Sequence, residues 1–116
     1  MHADASTWEQ TDWGEIVALY GLLQLRWRSP VVALNRAVAI GLASGPKAGL
    51  AALDALSDEP VLASYSYFPA ARADFLRRLG RDEQASSAYS EALLLTENTV
   101  ERAFLESRLR SLRPPP

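Results

Sequence analysis

Apolar residues recur three and four positions apart along almost the whole chain, the spacing that lines one face of an α-helix. Trp13, Ile16, Val17, Tyr20, Leu23 and Trp27 follow it first, behind Thr11 or Asp12 as a cap, and predict a helix to about Arg26. Ser29-Pro30 restarts the chain, with serine as cap and proline in the first turn. The second helix, VVALNRAVAIGLA, is apolar on nearly every side and belongs inside a bundle. Ser44-Gly45-Pro46 stops it, and a third helix runs from Pro46 or Lys47 to Leu56. Residues 57–66 form the longest connection. A fourth helix covers Tyr67 to Leu79, with Pro69 tolerated in its first turn. Gly80 closes it, Asp82 opens a fifth to about Thr96, and Asn98 caps a sixth that ends near Leu112. No segment alternates with period two. The pattern predicts an all-α domain of about six helices.

The helices also pair in a repeating way. Gly45 and Gly80 lie 35 residues apart, close to the tetratricopeptide period of about 34. After Gly80 come Ala85, Tyr89, Ala92 and Leu93. Small residues at 85 and 92 let two helices approach, Tyr89 fills the space between them, and Ala73 and Leu76 face them from the preceding helix. The segment from Pro30 to Leu56 is a degenerate copy, with Leu50 and Asp54 in the places of Ala85 and Tyr89. The expected architecture is therefore antiparallel helix pairs stacked as a tetratricopeptide-like right-handed superhelix, capped by the last helix. Arrays expose apolar surface wherever they are cut. Trp8 and Trp13 near the N-terminus call for a preceding helix or a second copy to cover them, so the chain reads as the C-terminal piece of something longer.

Composition removes several chemistries. The 116 residues include no cysteine, which excludes a disulfide scaffold, a thiolate metal site and a cysteine nucleophile. This fits a cytoplasmic location. His2, the single histidine, sits at the extreme N-terminus, away from any expected site. A formal charge of −2 lacks the basic surplus of a nucleic-acid binder. No apolar run approaches the length of a membrane span. GLASGPKAG (41–49) fails as a phosphate loop: a helix precedes it, proline separates Gly45 from Lys47, and Ala48 replaces the magnesium-binding hydroxyl. Asp58-Glu59 and Asp82-Glu83 suit turns and first helical turns, and nothing has metal-ligand spacing. No catalytic, metal or cofactor site is expected, and the chain is read as a non-enzyme.

Protein recognition remains. Counting back from Gly80 places Tyr67, Ala70, Asp74, Arg77 and Arg78 towards the concave face of the stack. The same count from Gly45 adds Asn35, and a further repeat brings Glu101, Phe104 and Arg108. Asn35 is open to two roles, a groove contact or an internal hydrogen bond. For Arg36 and Arg72 the favoured role is an internal network tying neighbouring helices, because both helices look central and buried charges need partners.

TDWGEIVALYGLL, SPVVALNRAVAI, GPKAGLAALDAL, YFPAARADFLRRLGR and AYSEALLLTENTVERAFLESRL resemble, in order and spacing over about residues 11–112, the C-terminal extension of a group of bacterial RNA polymerase sigma factors. These are extracytoplasmic-function sigma factors carrying a tetratricopeptide-like domain after their DNA- and polymerase-binding domains. The resemblance implies a regulatory module whose partners are the upstream sigma-factor domains or RNA polymerase, with a YCII-related protein as a further candidate. It implies no promoter recognition by this segment alone. His2-Ala3 resembles the end of the family's preceding helix, with Met1 interrupting it, and residues 1–11 would be that remnant or a linker. Trp27-Arg28 is bulkier than the family's usual residues, and the triple proline at 114–116 departs from it. A homodimer through the cut end, a stand-alone helical-repeat adaptor and a small-molecule sensor using the groove near Asn35 and Asp74 are the alternatives.

Overall fold

The computed structural model describes residues 12–112. Among them lie seven helices and no strand: α1 (Trp13–Arg26), α2 (Pro30–Ser44), α3 (Pro46–Asp54), α4 (Pro60–Ala63), α5 (Tyr67–Arg78), α6 (Asp82–Leu95) and α7 (Thr99–Leu112). The expected remnant at 1–11, with His2 and Trp8, and the proline tail at 114–116 lie outside the described residues.

The helix boundaries follow from local chemistry. Asp12 caps α1, its Oδ1 accepting from the Glu15 amide at 3.0 Å. Ser29 Oγ accepts from Val32 at 3.4 Å with Pro30 opening α2, and Asn98 Oδ1 accepts from Glu101 at 2.9 Å ahead of α7. Gly80, at φ 77°, ends α5 in a Schellman motif. The Gly80 amide donates to Arg77 O at 3.0 Å and the Arg81 amide to Leu76 O at 2.9 Å. Gly45, at φ 106°, turns the chain between α2 and α3.

Two expectations need correction. The third helix stops at Asp54, two residues early, in a run of turns. The 57–66 connection is not a plain loop: Pro60 nucleates the one-turn α4, which seats Leu62 at 1% exposure. Burying a leucine contributes about 1.5–3 kcal/mol, enough to order a short turn that has little helical stability of its own. The count of about six helices thus becomes seven.

Packing runs mainly between successive elements: α1 on α2, α2 on α3, α3 on α5, α5 on α6 and α6 on α7. Helix pairs packed in succession in this way form a stack. Alanine makes the close approaches, with Ala73, Ala85 and Ala92 fully buried, and Tyr89, Leu53 and Leu105 fill between them. Between the pairs, Phe75 of α5 sits against Gly41 of α2 and Gly49 of α3, so closely that a Cβ on either glycine would fall within 3 Å of its ring.

Candidate functional site

The helices on one side of the stack enclose a groove of about 370 Å³. From α2 come Leu34, Asn35 and Val38; from the turn before α5, Tyr65; from α5, Tyr67, Ala70, Ala71 and Asp74; from α7, Glu101, Phe104 and Leu105. Residues 67, 70, 71 and 74 share one face of α5 at three- and four-residue spacing, as do 101, 104 and 105 on α7. Leu34 and Leu105 form a buried floor, whereas Tyr67 (58% exposed) and Phe104 (45%) stand at the rim.

Two carboxylates face this space, and each is held in place. Ser66 donates its hydroxyl to Glu101 Oε1 at 2.7 Å, fastening α7 to the start of α5. Asp74 Oδ1 accepts from the Tyr89 hydroxyl and lies 3.8 Å from Nη2 of Arg77. Arg77 Nε also donates to Tyr89 Oη at 3.2 Å. Tyr89 has no exposed surface, and burial, reinforced by the Asp74 carboxylate, pushes its phenol up to about 12. The phenol therefore stays a neutral donor that orients Asp74.

Of the residues expected on the concave face, Asn35, Tyr67, Asp74 and Glu101 meet in the groove, with Ala70 and Phe104. Three do not line it. Arg77 is turned towards α6, where its guanidinium serves Tyr89 and Asp74. Arg78 is exposed in the last turn of α5, one turn beyond Asp74 and past the end of the groove. Arg108 lies 4.9 Å from the centroid of the Phe104 ring, stacked on it, with its Nε buried and lacking an acceptor among the described residues.

The two residues assigned to an internal network are less buried than their helices suggested. Arg72 donates Nε to Asp54 Oδ1 at 2.9 Å, joining α5 to α3, but a third of its side chain is exposed. Arg36 is exposed, with its Nε over Gly21 of α1. Both helices have an outer edge, and both arginines sit on it. Helical periodicity does not single out Tyr65 and Ser66, which fall in the connection between the repeats; the density of Tyr65-Ser66-Tyr67 is the available signal. Nor does periodicity single out Arg102, whose Nη1 donates to Leu93 O at 2.7 Å and Thr96 O at 3.0 Å, satisfying carbonyls at the end of α6.

At the other end of the stack, α1 buries no residue completely and exposes Leu19, Leu22, Leu25 and, just beyond it, Trp27. Trp13 is half-buried. Among the described residues no group of three or more histidine, cysteine, aspartate or glutamate side chains is placed to hold a metal, and no helix is long and apolar enough to cross a membrane.

An uncharacterized protein of Rhizobium meliloti (strain 1021) is 40% identical to the chain over all 116 residues. The chain spans 27% of that relative's length. No protein-family description matches the chain, and no solved structure matches it significantly.

Proposed function

We infer that the chain is a non-catalytic, tetratricopeptide-like regulatory domain from the C-terminal part of a bacterial extracytoplasmic-function sigma factor. It would act on transcription initiation through the factor's upstream domains, RNA polymerase or a partner such as a YCII-related protein. The observation that carries the interaction role is the convergence of Asn35, Tyr67, Asp74, Glu101 and Phe104, from three separate helices, on one groove. Its lining joins carboxylates, an amide and aromatic rings to an apolar floor, a mixture suited to recognising a protein segment. The sigma-factor assignment is supported by the run of resembling segments over residues 11–112. A relative much longer than this chain fits a module joined to other domains.

Promoter-specific transcription by the full-length factor, compared with a form lacking residues 1–116, tests this reading. Removal should change initiation at the factor's own promoter, with or without cell extract. Equal activity in both conditions would remove the regulatory role.

A further inference from the structure

The groove has a charge and a shape that select a partner chemistry. Among the described residues, its charged lining groups are Asp74 and Glu101, on different helices. The two nearby arginines lie outside it, Arg77 engaged with Asp74 and Tyr89 and Arg108 stacked on Phe104. Each carboxylate uses one oxygen internally, Oδ1 of Asp74 and Oε1 of Glu101, which leaves Oδ2 and Oε2 without a donor in the described residues. Around them stand the rings of Tyr65 and Tyr67, packed edge to face at 5.3 Å between centroids, and below them the apolar floor. The Asn35 amide, at the α2 wall, makes no hydrogen bond within the described residues and supplies both a donor and an acceptor.

Carboxylates beside aromatic faces recognise a guanidinium better than any other side-chain group. It is planar, stacks on rings, presents forked donors and loses less hydration than an ammonium. We propose that the groove receives an arginine side chain from an interacting protein segment, with the guanidinium between Asp74 and Glu101 and the methylenes on Leu34, Val38 and Leu105. This rests on the protein-interaction reading above and names what that surface selects. Ser66 and Tyr89 are positioning residues, since they fix the carboxylates without facing the ligand themselves.

The test uses the whole 116-residue chain, labelled for NMR and titrated with the capped peptide Ala-Leu-Arg-Leu-Ala. Parallel titrations replace the arginine by citrulline, which keeps the shape without the charge, by lysine and by glutamate. The arginine peptide should shift the amide signals of Asn35, Ala71, Asp74 and Glu101 saturably and bind about tenfold more tightly than the citrulline peptide, the worth of one hydrogen bond to a charged group. Lysine should fall between them. Glu101→Gln should remove most of the preference while keeping the melting temperature, since glutamine still accepts from Ser66. If that variant did not fold, the arginine–citrulline comparison on the unaltered chain would still decide. Equal binding of both peptides, no saturable shift, preference for glutamate, or shifts confined to α1 would overturn the proposal. So would groove signals that move with protein concentration alone, which would make a second copy the occupant. A failed titration alongside a transcriptional effect of the domain would sink the arginine site only. Arginine-selective binding without any transcriptional effect would sink the regulatory role only.

Discussion

Tyr89 links the core of the stack to the groove through one hydroxyl. Its ring is buried between α5 and α6, and its Oη orients Asp74 and meets Arg77. Tyr89→Phe should cost about 1 kcal/mol of stability, since Asp74 and Arg77 are each about a third exposed and can turn to water. The pH dependence gives a sharper test. With the folded phenol pushed up to about 12, against 10 for the exposed group, the unfolded chain binds fewer protons between those values. The stabilisation is complete below pH 10 and is lost as pH rises through 12, by about 1.4 kcal/mol per pH unit at the steepest. Urea unfolding of both proteins at pH 9, 10 and 11 should therefore show the advantage of tyrosine over phenylalanine shrinking. A constant difference would mean that the phenol titrates normally.

The junction of α2, α3 and α5 is set by what glycine leaves out. A Cβ on Gly41 would stand 2.2 Å from Cζ of Phe75, and one on Gly49 would stand 2.6 Å from the Gly41 Cα. Alanine is the better helix former by about 1 kcal/mol, yet overpacking a rigid ring costs about 1–3 kcal/mol. Phe75 is 3% exposed and cannot swing aside, so the overpacking term wins. Gly41→Ala should lower the melting temperature by several degrees, about 4–8 °C per kcal/mol in a domain of this size. The loss should be smaller in a Phe75→Leu background, because the smaller side chain gives way. Additive losses in a thermal-melt cycle would show that the clash is not with the ring.

Across the whole molecule stability should be uneven, because elements touch few neighbours outside their own place in the stack. α1 packs on α2, buries no residue fully and exposes four large apolar side chains on or just beyond it, whereas α5 and α6 together hold half of the buried hydrophobic core. Opening α1 thus sacrifices little apolar contact. Native-state hydrogen exchange should find its amides exchanging through a low-energy opening well before those of α5 and α6. Uniform protection across all of them would instead mean a single cooperative unit, or a cover on the outer face of α1.

Sequence alone determined the helical class, most boundaries and the candidate faces. These depend on local rules: apolar spacing, the caps Asp12, Ser29 and Asn98, and the glycine stop at Gly80. It also placed Asn35, Tyr67, Asp74 and Glu101 on faces that meet, since a helix fixes angular position residue by residue. Tertiary structure decided the rest. Whether Arg77 joins the groove or turns to Tyr89, whether Arg36 and Arg72 are interior or marginal, and whether 57–66 contains a helix all depend on contacts between distant segments. So does the groove itself, where an unremarkable Ser66 fastens Glu101 from 35 residues away. Periodicity says which side of a helix a residue occupies, but only packing says what stands opposite it.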